Sequence, residues 1–310
     1  MKFLRGRHDR PSVPYIRQTA GPGAARSASK RRDKGATGDK PKWVTYAVLG
    51  AVILISVLPL YYTFLLASNT SAEVAQNPIP SVIPGGELVN NLTRLFQSDI
   101  DLMKAAWNSF FVSAVTAVAV VFFSTLAGFA FAKLRFRGQV PLLAIVVATL
   151  AVPTQLGVVP LYIVMRELGL VGNLWAVILP GIVTAFGVFW MTQYLSAALP
   201  FELIEAARID GASTFRTFWS IALPAVRPAA SMLGLFSFIG AWTNYFWPAI
   251  VLGPQNPTLP VALQLLQTGF FKDIPLIMTG VLVSIVPLLV LFLILGKQLV
   301  AGVMQGAIKG

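Results

Sequence analysis

The sequence predicts an all-α integral membrane protein with six transmembrane helices and both termini in the cytoplasm. Of its 310 residues, 56% are hydrophobic and only 12% are charged, and the mean hydropathy is +0.72. Soluble domains carry about 25% charged residues. In addition, six long segments of the chain contain no charged residue. A soluble enzyme of this length is therefore not expected.

The residue types that are missing exclude several classes of catalytic site. The chain has no cysteine and a single histidine, His8, in its polar N-terminal part. Disulfide scaffolds, thiolate metal sites, histidine metal clusters and Ser-His-Asp triads are thereby excluded. The sequence also lacks the glycine-rich loop that cradles a nucleotide phosphate. We predict no catalytic residue, no metal site and no cofactor in this chain, and we do not expect an enzyme.

The first 42 residues form a basic leader. They hold 12 of the 24 Lys and Arg residues, together with Gly, Ser and Pro, and they contain no apolar run. Such a composition predicts disorder, because too little apolar surface can be buried. A basic arm could bind nucleic acid, but beside a membrane span it more often contacts anionic lipid or enforces topology. We therefore predict a disordered cytoplasmic leader at 1–42, a permease domain at 43–310 and no nucleic-acid partner.

Six segments after the leader are free of Asp, Glu, Lys and Arg. Each exceeds the roughly 20 residues that a helix needs to cross the bilayer core. They contain several prolines, which membrane helices tolerate when neighbouring helices satisfy the freed carbonyls, so a packed bundle is predicted. The predicted spans are 43–68, 105–132, 139–165, 174–201, 228–253 and 275–296.

The distribution of basic residues predicts the orientation. With six spans, 20 Lys and Arg residues fall on the side of the two termini and 4 on the other side, whereas acidic residues divide evenly. Because basic residues accumulate on the cytoplasmic side, the loop at 198–227 is predicted to be cytoplasmic. The loops at 69–104 and 254–274 are predicted to face outward.

The spans offer no ionisable side chain for ion-coupled transport. Coupled transporters usually keep Asp, Glu, His or Arg within their spans to carry the charge. Backbone carbonyls can bind sodium, however, so a self-sufficient secondary transporter stays open as an alternative. A membrane scaffold that recruits partners through the basic leader is a second alternative.

The loop at 198–227 predicts two short helices joined by a tight turn. Pro200 suits a helix start, and Glu202 lies where the helix dipole favours an anion. Gly211 suits the C′ position, which requires positive φ. On the first helix, the spacing of the apolar residues places four of them on one side: Leu203, Ile204, Ala207 and Ile209.

The second helix of this loop is predicted to begin at Ser213 or Thr214, either of which can cap it. It carries Phe215, Phe218 and Trp219 and is expected to end before Pro224. Ala206 and Ala207 keep the first helix slim, so that another protein can approach its backbone closely.

This loop resembles the EAA motif of ABC-importer permeases, which is written E-A-A-x3-G-x9-I-x-L-P. All seven specified residues stand at the family spacing, and a chance match is on the order of one in ten million per start position. The resemblance extends from about residue 43 to the end, and its closest likeness is to the smaller membrane subunit of maltose-type carbohydrate systems. The matching residues are Glu205, Ala206, Ala207, Gly211, Ile221, Leu223 and Pro224.

The resemblance implies the type I ABC importer permease (MetI-like) fold and a division of labour between chains. The helix at 201–211 would be a coupling helix seated in a cleft of an ATPase subunit, with Arg208 and Asp210 beside the matched residues. Partners would be a second permease, an ATPase dimer that binds ATP and Mg²⁺, an extracytoplasmic sugar-binding protein, membrane lipid and the sugar. Transport would occur by alternating access.

Two further groups of residues have competing interpretations. The aromatic cluster in the fifth predicted span could line the sugar route, although packing or anchoring at the membrane interface is more common for Trp and Tyr. The tail could contact the ATPase or be an ordinary frayed terminus. The residues concerned are Trp242, Asn244, Tyr245 and Trp247 in the cluster, and Gln305 and Gly306 in the tail.

Overall fold

The computed structural model describes residues 43–77, 79, 82–267 and 272–307, and the regular structure in these ranges is entirely helical. The predicted leader at 1–42 lies outside the described residues. Two 3-10 turns, Thr154–Gly157 and Leu179–Gly181, and one π-helical turn, Phe218–Ala222, join the α-helices. The α-helices are α1 (Trp43–Ala67), α2 (Ser71–Gln76), α3 (Leu88–Phe96), α4 (Leu102–Lys133), α5 (Gln139–Thr149), α6 (Val158–Glu167), α7 (Trp175–Ile178), α8 (Ala185–Ala198), α9 (Phe201–Ile209), α10 (Thr214–Thr217), α11 (Leu223–Ala225), α12 (Arg227–Trp242), α13 (Phe246–Val251), α14 (Leu259–Leu265) and α15 (Ile274–Ala307).

The described chain accounts for up to six membrane spans. Helices α1 and α4 and the first 21 residues of α15 are each long and apolar enough to cross a bilayer. Three bent helix pairs reach the same length when each pair is taken as one span. The prediction of an all-α protein with six membrane-crossing segments is therefore consistent with the structure, although three of the segments are not straight helices.

The third predicted span, 139–165, is broken. Helix α5 ends at Thr149, and the helical stretch Thr154–Glu167 leaves it at an angle of 92°. Pro153 lies in the break, and a proline both lacks the N–H of a helical bond and disfavours the helical conformation at the residue before it.

The fifth predicted span, 228–253, contains two helices instead of one. Helix α12 ends at Trp242 and α13 starts at Phe246. In a continuous helix the ring of Pro248 would clash with the carbonyl of Asn244 and leave that oxygen without a donor, so the chain interrupts the helix here. The N-terminal end of α12 instead continues the apolar length backwards, because it joins Thr214–Ala225 through a bend of 78°.

Helix α4 is the central element of the part of the chain that follows Ser56, and it packs along α8 and α12. Two glycines permit its close approach to α8. A Cβ on Gly128 would lie 2.7 Å from the Cβ of Met191, and a Cβ on Gly187 would lie 2.3 Å from the Oγ of Ser124. Small residues at such crossings let membrane helices pack backbone to backbone.

Three clusters of buried apolar side chains fill the bundle. The first joins α4 and α8 to the helices that follow α8, and includes Phe129, Leu195 and Phe218. The second gathers around Trp242, and the third around Trp247. The first cluster therefore fastens the predicted cytoplasmic loop to the bundle.

Candidate functional site

The segment 198–227, called the elbow below, contains α9 and a tight turn that the sequence predicts correctly. Gly211 has φ of +75°, its N–H bonds to the carbonyl of Arg208, and the N–H of Ala212 bonds to the carbonyl of Ala207. These two bonds make a Schellman motif with Gly211 at C′. A Cβ at this position would have nothing within 4 Å, so lack of space is not the reason for a glycine here. The reason is the positive φ of the backbone.

The apolar residues of α9 do not share one face, contrary to the prediction. Ile204 and Ala207 are buried, whereas Leu203 is half-exposed and Ile209 is 86% exposed. Ile209 is five residues from Ile204, which places it about 140° away around the helix at 3.6 residues per turn. Leu203 and Ile209 therefore face away from the bundle.

The second helical stretch of the elbow begins as predicted and ends later than predicted. The Oγ of Ser213 accepts a hydrogen bond from the N–H of Arg216, which makes Ser213 the N-cap. The stretch continues through a π-helical turn and past Pro224 to Ala225. Pro224 therefore stands inside a continuous helical stretch, just after its π-helical turn, and the expected end before Pro224 is wrong.

The two halves of the E-A-A…G…I-x-L-P pattern have opposite surroundings. Its later residues, Ile221 and Leu223, pack against the first apolar cluster, and Pro224 follows them at the surface. Of the earlier residues, Ala207 is buried and the others are exposed. The side chains of Glu205, Arg208 and Asp210 make no hydrogen bond or ion pair with the described part of the chain. They are thus free to meet groups outside it.

Apolar side chains are exposed beside these charges. Phe215 is 66% exposed and Trp219 54%, and their rings stack on each other with centroids 6.2 Å apart. Ala206 and Ile209 are exposed as well, so the elbow carries apolar side chains that the described part of the chain does not cover. Such a surface, rimmed by charges, is typical of a protein interaction site.

A small polar pocket lies where α9 meets the end of α4. It has a volume of about 210 Å³. Three cationic residues and one acidic residue contribute to it, together with two apolar residues of α9. Its lining is Lys133, Arg135, Phe201, Ile204, Glu205 and Arg208.

The predicted aromatic cluster separates into two roles in the structure. Trp242 and Trp247 are buried, and their indole N–H groups donate to the carbonyls of Ser284 and Ala176. Both tryptophans therefore have the surroundings of packing residues. Tyr245 is exposed at the break between α12 and α13, and Asn244 lies beside it at the edge of a cavity.

This cavity lies among α4, α7, α12 and the residue that precedes α8, and it has a volume of about 250 Å³. Its wall is mainly apolar, and we call it the polar cavity for the hydroxyl and amide groups that interrupt that wall. Thr116 is buried, and its Oγ1 has no hydrogen-bond partner. The side chains of Ser237 and Asn244 also make no hydrogen bond with the described residues. Its wall contains no charged residue, and its members are Val112, Thr116, Val120, Val177, Gly181, Thr184, Ser237, Gly240, Ala241 and Asn244.

Four polar residues at another place in the chain pair with one another: Ser71, Asn91, Arg94 and Asp273, which we call the polar corner. Arg94 forms an ion pair with Asp273 and donates to the Oδ1 of Asn91, whose amide donates to the carbonyls of Ala67 and Asn69. Burial alone would raise the pKa of Asp273. Hydrogen bonds from the Leu276 amide, Arg94 and Ser71 outweigh it and hold the pKa below the ordinary aspartate value.

The structure describes the predicted tail contact and the predicted outer loop only in part. Gln305 and Gly306 lie in the last turns of α15, where the structure describes the course of the helix alone. The predicted outer loop 254–274 is not all exposed, because α14 buries Leu259 and Ala262, and the Leu259 N–H donates to Ser109.

Sequence reasoning missed the polar pocket and most of the polar cavity. Lys133 carries a signal, since it is the first charge after a long uncharged span, but a basic residue at this place predicts only the orientation of the span in the membrane. Thr116, Thr184 and Ser237 carried none, because hydroxyl residues are ordinary inside membrane helices and only the packing brings these three together.

The sequence matches a known family. Residues 121–297 fit the profile of the binding-protein-dependent transport system inner membrane component. The arabinooligosaccharides transport system permease protein AraQ of Halalkalibacterium halodurans is 31% identical, over 86% of this chain and 96% of the relative. The lactose transport system permease protein LacG of Rhizobium radiobacter is 28% identical, over 87% of this chain and 97% of the relative.

Two further similarities are to a permease with a different named substrate and to a solved structure. The sn-glycerol-3-phosphate transport system permease protein UgpE of Brucella abortus is 29% identical, over 84% of this chain and 95% of the relative. A crystal structure of a bacterial ABC transporter involved in the import of the acidic polysaccharide alginate contains a chain with the same fold. Its TM-score is 0.70 at 22% identity, covering 82% of this chain and 95% of that one.

Proposed function

The chain belongs to the family of binding-protein-dependent transport system inner membrane components, and we propose that it moves a sugar or an oligosaccharide inward by alternating access. Membership of this family makes it a multi-pass permease subunit of the cytoplasmic membrane. ATP hydrolysis on separate subunits would drive the movement, with ATP and Mg²⁺ bound by those subunits. The observation that carries the proposal is the elbow, where both charged and apolar side chains are exposed and unpaired with respect to the described residues.

In this mechanism the elbow transmits movement and makes no chemical bond. The exposed residues of α9 and α10 would dock in a cleft of the ATPase subunit, with Glu205 facing basic or polar groups there. Ala206 keeps α9 slim enough for close approach, and the Schellman turn at Gly211 fixes the angle between the two helices. Ile204 of α9 lies in the first apolar cluster with Phe129 of α4 and Leu195 of α8, so a force on α9 would reach both helices directly. Ile221 and Leu223 pack against the same cluster.

The proposed assembly follows from the family and from the surfaces left open. It comprises one copy of this chain, one related permease, two ATPase subunits and an extracytoplasmic binding protein. Membrane lipid would cover the remaining apolar surface of the spans. Gln305 and Gly306 are proposed as a further contact to the ATPase.

A neutral sugar suits the polar cavity better than an anion does. Thr116, Ser237 and Asn244 offer hydroxyl and amide groups with unused hydrogen-bonding capacity. Of the three, Thr116 is buried, and leaving its hydroxyl unpaired costs about 1–3 kcal/mol, a cost that a hydroxyl of a passing sugar would remove. An anionic substrate would instead call for Lys or Arg in the wall. Among the relatives, the named substrates of AraQ and LacG fit this wall better than that of UgpE.

The first experiment is a pull-down of the tagged chain from native membranes, with Glu205→Lys compared to wild type. We expect an ATPase with a phosphate-binding loop and a second six-span chain to co-purify with wild type, and the ATPase to be lost from the variant. The matched control is Glu167→Lys, because Glu167 is exposed and pairs only with the neighbouring exposed Arg166. Such surface pairs contribute little to stability.

The outcomes also separate the two alternatives. Uptake that persists after deletion of the co-purified ATPase would support a self-sufficient secondary transporter. Partner binding that depends on residues 2–40 and tolerates Glu205→Lys would support a scaffold. Retention of the ATPase by Glu205→Lys, with normal uptake, would remove the role proposed for the elbow.

Substrate contact is tested separately with Asn244→Leu. We expect the apparent KM for sugar uptake to rise about tenfold, since one lost hydrogen bond to a sugar hydroxyl is worth about 0.5–1.5 kcal/mol and the added bulk narrows the cavity. Thr243→Leu is the control, because Thr243 is exposed and its hydroxyl bonds to the carbonyl of Ile239 within the same helix. Equal KM values for the two variants would take Asn244 out of the sugar route.

A further inference from the structure

We propose that Lys133 is a positioning residue that fastens the cytoplasmic ends of α4 and α8 to the first residue of α9, so that a movement of α9 is passed to the bundle. The proposal rests on the proposed function of the elbow and adds to it a residue outside the EAA pattern.

Lys133 is the one charged side chain that is buried in the described part of the chain, with 3% of its surface exposed. Its ammonium group lies 4.4 Å from the centroid of the Phe201 ring and 3.4 Å from the carbonyl oxygen of Ser196. The carboxylate of Glu202 is the acidic group that attracts it. One cation therefore contacts the end of α8 and the start of α9 from the end of α4.

The carbonyl of Ser196 is a natural partner for this cation. It belongs to the last turn of α8, where carbonyls lack helical donors and the helix dipole is negative. The ring of Phe201 and the carboxylate of Glu202 stand in the first turn of α9. An aromatic face and a carboxylate both attract a cation, so Lys133 adds a polar link among three elements that Ile204, Phe129 and Leu195 already join through apolar packing.

The helices that Lys133 joins are already packed closely. Gly128 lies against Met191, and Gly187 lies against Ser124, so α4 and α8 have little freedom to slide past each other. At their cytoplasmic end, Lys133 replaces this steric contact by an electrostatic one that includes α9. A movement applied to α9 would thus act on both helices at once.

An apolar residue at 133 would serve a purely structural purpose better. A buried charge is retained at a cost, and a well-packed apolar side chain is often neutral or stabilising in its place. The neighbouring cations, Arg135 and Arg137, are exposed and satisfy the topological need for positive charge on this side. An ionisable residue buried at the end of a span is therefore best explained by a function.

The test compares Lys133→Met, Lys133→Arg and Arg137→Met in the complex purified from native membranes and reconstituted in vesicles. Sugar uptake, ATP hydrolysis and retention of the ATPase subunits are measured together. We expect Lys133→Met to retain the ATPase subunits and to hydrolyse ATP, but to move roughly five- to tenfold less sugar per ATP, the effect of a lost interaction with a charged group. Lys133→Arg should restore most of the ratio, and Arg137→Met should leave it unchanged.

A second variant guards against misfolding. Phe201→Leu keeps an apolar side chain and removes the aromatic face, so we expect it to lower the sugar-to-ATP ratio in the same direction as Lys133→Met. The proposal is overturned if Lys133→Met keeps the wild-type ratio, or if it loses transport only in proportion to lost ATPase subunits. A wild-type complex without ATP-driven uptake would overturn the proposed function itself, an outcome that the variants do not influence.

Discussion

The elbow and the polar corner both contain charged side chains, but of these two groups only the side chains of the polar corner form an ion pair with each other among the described residues. Arg94, Asp273, Asn91 and Ser71 satisfy one another and the neighbouring backbone. In the elbow, the side chains of Glu205, Arg208 and Asp210 form no hydrogen bond or ion pair with the described residues. The same residue types thus serve two purposes.

The difference shows how to separate structural from functional polar groups in this chain. A closed network stabilises the fold, and its disruption should lower stability with activity falling only as folded protein is lost. An open set of charges contributes little to folding, and its disruption should abolish activity with stability unchanged. The predictions below test this separation, beginning with the largest expected effect.

Gly211→Val should abolish uptake. A left-handed backbone costs an L-residue about 1–2 kcal/mol, which corresponds to roughly a tenfold shift, and a β-branched side chain costs more. The turn would open and α9 would no longer present its exposed face at the same angle. Uptake and ATPase co-purification measure the effect. Gly211→Asn, which tolerates positive φ, should retain much of both, and uptake by the valine variant at the wild-type rate would refute the role of this turn.

Ile209→Ser should reduce ATPase co-purification about tenfold, an amount equal to about 1.4 kcal/mol of binding. Burying the exposed isoleucine in a partner would contribute free energy of this order. Because Ile209 is exposed in the isolated chain, its thermal stability should not fall. The control is Val89→Ser in α3, another exposed apolar residue. If both variants bind the ATPase equally well, the apolar surface of the elbow is not the interface.

The elbow also shows how far sequence reasoning reaches. The turn at Gly211 and the cap at Ser213 were predictable because each depends on a few adjacent residues with strong conformational preferences. The exposed orientation of Leu203 and Ile209 could not be predicted, because apolar spacing alone does not say whether a residue packs against its own chain or against a partner. The spacing predicted one shared apolar side, but Leu203 and Ile209 lie on the exposed side of the helix.

The membrane part divides in the same way. Length and the absence of charge were enough to predict six candidate segments, since crossing a bilayer requires both. The fifth was predicted too far along the chain, because the bent pair that could form it is Thr214–Ala225 with Arg227–Trp242. The break between Trp242 and Phe246 and the bend at Val226 were missed, because prolines within spans are compatible with either a straight or a broken helix. The polar cavity depends on residues from several helices, and no local pattern reveals such a site.

Arg94→Met should destabilise the fold by about 1 kcal/mol. Hydrogen bonds to charged groups contribute about 1.5–3 kcal/mol, and the side chain of Arg94 is 44% exposed, so solvent reduces the value. A thermal melt of the purified subunit measures the change. Uptake per folded molecule should remain at the wild-type level, and a specific loss of uptake would mean that the polar corner has a functional role as well.

The smallest effect concerns pH. The folded-state pKa of Asp273 lies below its ordinary value of 3.8, because hydrogen bonds from the Leu276 amide, Arg94 and Ser71 outweigh burial. The charged form is therefore favoured in the folded state. Its contribution to stability is complete above the ordinary value and is lost as the pH falls through the lowered one.

The difference in melting temperature between wild type and Asp273→Asn should be constant from pH 7 to about pH 5 and should shrink below about pH 4. Glu73, whose pKa is lowered by hydrogen bonds to Thr70, titrates with the same sign in both proteins and cancels from the difference. A difference that widened on acidification would mean that Asp273 is stabilised in its neutral form, and the polar corner would then not be the closed ionic network that distinguishes it from the elbow.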